Sequence, residues 1–443
     1  MSSTQIIELQ SIETSDDFVE HPQSDSIEPV EANNSSSLPP TDRGKDAWLF
    51  LFACFMLEAL IWGFPSSYGV FQAYYSSHEP FAGSGQIAVV GACAMGIMYM
   101  NIIPCFALLK CFPKLRLWAT PVGLVVVCIS LGLGSLSTKV SHLILTQGVL
   151  YAIGGGFAWT PILFMIEEWW VRRRGFAYGV TMAGLGLSGA ILPLVLEWLL
   201  NNYGFPTTLR VCALSFVALN MPVLFFFKPR IPFSQTSQNR SFDLAFVRSS
   251  NFLILQSGNV VSSVGYFLPT IYLPTFARSL GASNLESIVT IVLLNAAAFI
   301  GSLCMGAAVD RYDVTACILV SAAGSAFGVF LLWGLCTSLP LLYIFCLVYG
   351  AFAGCASSFW SGIMKETKER KRGADMGMIF AFLSAGKGVG NLCSGPLSEV
   401  LLRAGTWKAG LAYGSQYGAL ISFTGVTAVI GGWAFLARRI GWM

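Results

Sequence analysis

The sequence predicts an all-α membrane protein with twelve transmembrane helices arranged as two six-helix parallel repeats. Three observations predict it. From Ala47 to Ala437 the chain is filled with stretches of about twenty apolar residues, and a helix of that length crosses a bilayer's hydrocarbon core. Charged residues make up 11% of the chain against roughly 25% in soluble proteins. Hydrophobic residues make up 55%, and the mean hydropathy is +0.65. Finally, the second half of the chain repeats motifs of the first.

The elements follow in order. Residues 1–46 hold ten acids against Arg43 and Lys45, are rich in Ser, and lack the apolar core of a signal peptide. They read as a disordered cytosolic tail, either simply solvated or regulatory. Apolar spans at 47–75, 85–109, 118–137, 142–167, 175–201 and 208–227 make an N-terminal six-helix bundle, 47–227. The longest link, 228–249, opens on Lys228-Pro229-Arg230 and reads as a cytosolic linker. Spans at 250–276, 285–309, 315–336, 340–363, 374–402 and 411–437 make the second bundle, 250–437, followed by a cytosolic tail at 438–443.

Charge sets the expected orientation. With the N-terminus in the cytosol, twenty of the 26 Lys and Arg residues fall on the inside and five outside, with Lys387 inside a helix. Both termini are then cytosolic, and so are the sequons at Asn33, Asn34 and Asn239, where no glycan is expected. The plasma membrane is the expected site, with the vacuolar membrane as the alternative.

The repeat is visible in motifs. Arg173-Arg174-Gly175 opens span five, followed by Gly179 and Ala183; Lys371-Arg372-Gly373 opens span eleven, followed by Gly377 and Ala381. Gly63-Phe64-Pro65 in span one has a counterpart in Gly265 to Pro269 of span seven. Paired Gly/Pro interruptions of this kind mark the substrate path in repeat-built transporters.

Several function classes are excluded. Among the twelve Cys, Cys54, Cys93, Cys128, Cys304, Cys346 and Cys393 fall inside apolar spans, and no Cys or His cluster has metal-ligand spacing. Gly386-Lys387-Gly388 superficially suggests a phosphate loop, but Ala381 and Gly388 stand where the motif needs Gly and Ser or Thr. No cofactor is expected. A membrane enzyme would cluster His, Asp or Cys near one face, and no such cluster is present. The basic residues sit at helix ends, so no nucleic-acid partner is expected. The expected partners are the lipid bilayer and a small-molecule substrate, with or without a co-transported proton.

Chemistry falls to the few polar groups inside the spans. Lys387 lies mid-way along span eleven, where an ammonium costs at least roughly 2.5–3.5 kcal/mol. Ser384, Lys387, Asn391, Ser394 and Ser398 share one helical face. Lys387 is either the anchor of an anionic substrate or half of a structural ion pair. Glu58, in span one with Trp62 and Pro65 on its face, is a proton carrier, a partner of Lys387, or a protonated structural group. Span seven carries a second stripe, Gln256, Asn259, Ser263, Tyr266 and Thr270, which lines a cavity or joins helices. Asn295 and Ser302 in span eight are weaker candidates. Trp159 and Trp360 either stack on a planar substrate or pack. Glu167-Glu168 beside Arg172-Arg173-Arg174, and Asp310-Arg311, are placed for a latch at the cytosolic gate or are solvated helix ends.

Two segments carry a family resemblance. Gly63-Phe64-Pro65-Ser66-Ser67-Tyr68-Gly69-Val70-Phe71 resembles the first-helix signature of monocarboxylate transporters. Glu168-Trp169-Trp170-Val171-Arg172-Arg173-Arg174-Gly175-Phe176-Ala177-Tyr178-Gly179, continuing to Gly184 and Gly189, resembles their fourth-to-fifth-helix signature. The chain is most similar to the fungal branch of that family. The resemblance implies the major facilitator fold, alternating access, and, as in animal members, proton-linked movement of lactate-like acids. Ser66 stands where the family has a basic residue, and Ala298 and Ser302 where it has an acid–arginine pair. The implied function is secondary transport of a monocarboxylate or related organic anion; the alternatives are export of a larger or neutral biosynthetic metabolite, or a transport-dead sensor.

Overall fold

The computed structural model describes residues 38–84, 86–231, 243–405 and 410–443. The three sequons, most of the N-terminal tail, the middle of the central link, Arg240 and Lys408 lie outside the described residues. From Pro39 onward the chain forms one compact unit.

Every regular element among the described residues is helical. Eleven helices are long and apolar enough to cross a bilayer. They are α1 (Lys45–Ser77), α2 (Ile87–Cys111), α3 (Leu115–Gly134), α4 (Val140–Trp169), α5 (Arg174–Phe226), α6 (Ser250–Ser279), α7 (Asn284–Val309), α8 (Val314–Trp333), α9 (Leu339–Arg370), α10 (Met376–Arg403) and α11 (Gly418–Arg439). The twelfth expected span is inside α5. At 53 residues, α5 would be about 80 Å long if straight, far more than one bilayer crossing. It is broken at Gly204, whose φ of 72° and ψ of 171° are open to glycine and lie outside the helical region. The spans expected at 175–201 and 208–227 are its two arms.

Three helices are interrupted where they build the interior. α1 carries Pro65 and breaks at Ser67. α4 breaks between Trp159 and Ile162, around Thr160-Pro161. α9 leaves α-helix at Gly354 and continues through a 3₁₀ turn, Ala356–Phe359. Proline removes a backbone donor, and tight turns expose carbonyls, so breaks of this kind survive in a membrane only where the backbone faces protein or a cavity.

The first arm of α5 crosses α7 on glycine. A Cβ at Gly306 would lie 2.6 Å from both the Gly175 carbonyl oxygen and the Gly179 Cα. Small residues let helix backbones meet, which is the main source of helix association in lipid. Gly306→Val is therefore expected to cost about 1–3 kcal/mol through overpacking. A fall in melting temperature of the purified protein checks this against Gly132→Val, where a Cβ meets nothing within 4 Å and no fall is expected.

Candidate functional site

The helix breaks aim two tryptophans at two polar partners. Just before the α4 break, Trp159 Nε1 donates to Glu58 Oε2 at 2.6 Å. Just after the α9 turn, Trp360 Nε1 donates to Asn259 Oδ1 at 3.2 Å. Donor and acceptor are 101 residues apart in both pairs. The second pair lies 201 residues after the first (58 to 259, 159 to 360), so these are the same contact in the two repeats. The equivalence extends to ring pairs, Phe64–Tyr151 at 5.0 Å and Tyr266–Tyr349 at 6.4 Å. The repeats differ in charge: Glu58 is a carboxylate where Asn259 is an amide. Phe380 packs against both indoles, with centroids at 5.4 Å from Trp159 and 5.0 Å from Trp360.

Lys387 is 6% exposed and Glu58 2%. Among the described residues no ion pair joins them. The Lys387 ammonium donates instead to Ser357 Oγ at 2.8 Å, a hydroxyl presented by the α9 turn. Three rings surround it: Tyr266 at 5.2 Å, Trp360 at 5.8 Å and Tyr99 at 5.9 Å from Nζ to centroid. A cation within about 6 Å of a ring face is attracted by the ring quadrupole, more strongly when desolvated. α10 exposes no residue from Met376 to Gly388, then exposes Val389, Leu392, Cys393, Gly395 and Pro396. Lys387 thus stands where the enclosed stretch of α10 ends.

The ammonium forms part of the wall of a cavity within the second repeat. Asn259, Tyr266, Tyr349, Trp360, Ser321 and Ser325 are among its lining. It holds about 60 Å³ for the centres of water-sized molecules, room for a few waters at roughly 10–15 Å³ each. Its hydroxyls mostly donate inward: Ser263 to the Asn259 carbonyl, Ser321 to Phe352, Ser325 to Ser321 and Thr424 to Leu420. A hydroxyl that donates to backbone keeps its lone pairs free to accept, so the wall offers acceptors beside the Lys387 ammonium and the Tyr266 and Tyr349 hydroxyls.

The structure divides the expected binding residues. Lys387, Asn259, Tyr266 and Trp360 come together at the cavity. Gln256 does not line it; its Nε2 donates to the Phe382 carbonyl at 2.8 Å, and Asn259 Nδ2 donates to Leu383 at 2.9 Å, so both tie α6 to α10. Asn295 joins α7 to α5, donating to the Gly189 carbonyl at 3.2 Å. Asn391 is half-buried one turn beyond Lys387, and its carbonyl accepts from Ser394.

The expected gate residues lie at the Arg-rich end. Asp310, at the end of α7, accepts from the Gly175 and Phe176 N–H groups at 2.7 and 2.8 Å, capping the first turn of α5. Partial burial pushes this carboxyl above its usual range, and the two donors oppose the rise. Lys110 of α2 pairs with Asp375 at 2.9 Å, while Asp375 caps α10 through Gly377 and Met378. Both contacts bind the first repeat to the second. Glu168 holds the central link through the Arg230 and Ile231 N–H groups. Arg172 and Arg173 meet Asp42 through their backbone N–H groups, and Arg311 is exposed.

Tyr99, Ser357 and Phe380 have no sequence signal as strong as a buried charge. Each is an ordinary residue of an apolar helix, and a helix break or a neighbouring repeat brings it to the site. The run Cys355-Ala356-Ser357-Ser358, unusually small and polar for span ten, is the one local hint.

The Trp159–Glu58 bond is a buried hydrogen bond to an acid, a class worth roughly 1.5–3 kcal/mol when the acid is charged. Trp159→Phe is expected to lower stability on that scale. In a double-mutant cycle with Glu58→Ala, which removes the acceptor, the two losses measured by thermal unfolding should sum to more than the loss in the double variant.

Comparison with known proteins follows the same architecture. A family model described as Major Facilitator Superfamily matches residues 112–390 and 255–441. The Agnestins efflux protein AgnL12 of Paecilomyces divaricatus is 26% identical over 437 residues, covering 95% of this chain and 93% of the relative. The MFS-type transporter pynF of Aspergillus niger is 26% identical over 373 residues, covering 83% and 84%. The Aspyridones efflux protein apdF of Emericella nidulans is 25% identical over 333 residues, covering 74% and 66%. The crystal structure of the human organic anion transporter MFSD10 (TETRAN) shares the fold, with a TM-score of 0.64 at 12% identity over 90% of this chain and 100% of that one. This chain belongs to the Major Facilitator Superfamily, a family of multi-pass membrane transporters.

Proposed function

We propose that this protein exports a small organic anion by alternating access, and that the anion has a planar apolar body carrying hydroxyl or N–H donors. The observation that carries this reading is Lys387: a buried ammonium with one hydroxyl partner, three ring faces and no carboxylate in contact. An anionic head would compensate that charge, the rings would stack on a flat body, and the acceptor wall would receive its donors. Export is inferred from the efflux functions named for two of the relatives. A body larger than lactate fits the neutral residues at Ser66, Ala298 and Ser302, so the monocarboxylate resemblance is taken to describe ancestry and not cargo.

Glu58 is the proposed proton site. It alone breaks the symmetry of the two tryptophan contacts, and Trp62 beside it carries a buried N–H with no partner among the described residues. In this scheme residues 47–227 and 250–437 move as two bodies joined by 228–249, with the Arg-rich end in the cytosol. Asp310 and the Lys110–Asp375 pair release when that end opens.

Flux of a labelled aromatic acid and of its methyl ester into inverted vesicles, with and without an acidic lumen, tests the reading. The acid should move and the ester should not. Lys387→Ala should lower acid flux roughly ten- to hundredfold at equal membrane content, the loss of one charged hydrogen bond. Glu58→Gln should remove the response to the pH gradient. Wild-type acid flux in Lys387→Ala overturns the anchor. Equal flux of ester and acid moves the cargo to the neutral class.

A further inference from the structure

The Arg-rich end holds a second site that the transport path does not use. The segment before α1 folds over the link between α4 and α5. Asp42, at φ 59°, donates its N–H to the Trp169 carbonyl at 2.9 Å. Its carboxylate accepts from three successive backbone N–H groups, Val171 at 3.2 Å, Arg172 at 3.0 Å and Arg173 at 2.8 Å. Arg230 joins the same assembly, donating its N–H to Glu168 and its Nε to the Pro39 carbonyl at 2.7 Å.

The result is a crevice of about 660 Å³, open to solvent, with Arg43, Arg172, Arg173 and Arg230 in its lining beside Thr41 and Asp42. Arg43, Arg172 and Arg173 are exposed and form no ion pair with a described residue. The one carboxylate in the lining is already engaged by three N–H donors. Four guanidinium groups are thus held in one recess by a backbone scaffold, although their mutual repulsion favours dispersal. Guanidinium forks match phosphate oxygens in geometry and charge.

The rim shows where such a phosphate comes from. Val171, next to Arg172, is 50% exposed. Trp48, edge-on to Trp170 at 5.3 Å, is 49% exposed, and Phe226 at the end of α5 is 40% exposed. Val171 lies in the α4–α5 link, and Trp48 and Phe226 stand at the ends of α1 and α5 next to the segments that line the crevice, so exposed apolar side chains flank the arginines in the chain as they do where headgroups meet acyl chains.

We infer that this crevice binds a phosphate-bearing anion, the headgroup of an acidic phospholipid. The bound lipid clamps the Pro39–Gly44 segment to the α4–α5 link and to Arg230. A general excess of positive charge at this end would attract acidic lipid everywhere; a built site attracts it at these four residues.

The test uses the full-length protein in nanodiscs of phosphatidylcholine with a minority of labelled phosphatidylserine, and reads the relative association constant of the two lipids. Arg172→Gln with Arg173→Gln should weaken the preference for the acidic lipid about thirtyfold, taking the ordinary contribution of each cation near a headgroup. Lys371→Gln with Arg372→Gln removes the same charge from the corresponding link of the second repeat, where Asp243 already lies beside Gly373, and should change it less than about threefold. If the first double variant is not monodisperse, Arg43→Gln with Arg172→Gln replaces it. Equal losses in the two loops, or no preference in the wild type, overturn the site. Displacement of the lipid by inorganic phosphate or glycerophosphoserine at equal concentration would keep the phosphate site and assign it to a soluble anion.

Discussion

Lys387 places an ammonium inside a bilayer, and the surroundings of that charge organise the second repeat. The α9 turn brings Ser357 to it, α6 brings Tyr266, and α2 of the other repeat brings Tyr99. Gln256 and Asn259 clamp α6 to α10 one turn before the charge, each donating its amide to a backbone carbonyl that offsets the cost of desolvation. A charge in hydrocarbon must be partnered, hydrated or neutralised, and here it is partnered weakly. Weak partnering is the property a binding site needs, because a charge fully satisfied by protein has nothing left for a ligand.

The two repeats use one design with different chemistry. Trp159 on Glu58 and Trp360 on Asn259 are equivalent bonds, and Phe380 wedges between both indoles. A carboxyl in place of an amide at one of two equivalent positions adds a single titratable group while keeping the indole hydrogen bond. Glu58 meets the aromatic group through Trp159, and the base, Lys387, meets it through Trp360 and Tyr99; among the described residues no ion pair joins the two charges.

At the Arg-rich end the chain relies on backbone amides. Asp310, Asp42, Asp375 and Glu168 each accept from main-chain N–H groups, three of them at helix starts or the link before one. Carboxylates on N-terminal amides are charge-assisted bonds favoured by the helix dipole. This leaves the Arg172 and Arg173 side chains uncommitted, which explains how one short link can serve helix closure through its backbone and anion binding through its side chains.

The sequence by itself determined the helical spans, the six-plus-six repeat and the two buried charges, because hydropathy and charge are properties of neighbouring residues along one helix. It also marked Asn259 and Tyr266, since helical periodicity puts them on one face of span seven, and Trp360 as an aromatic able to stack on a planar substrate. Only the tertiary structure decided that Glu58 meets Trp159 and not Lys387, that Tyr99 and Ser357 complete the cage, and that Asn295 and Gln256 join helices. It also decided that Asp42 secures the Arg172-Arg173 link. Those contacts join residues from 30 to 288 positions apart, and they depend on helix breaks and glycine crossings that place one helix against another. Local periodicity carries no record of which faces meet.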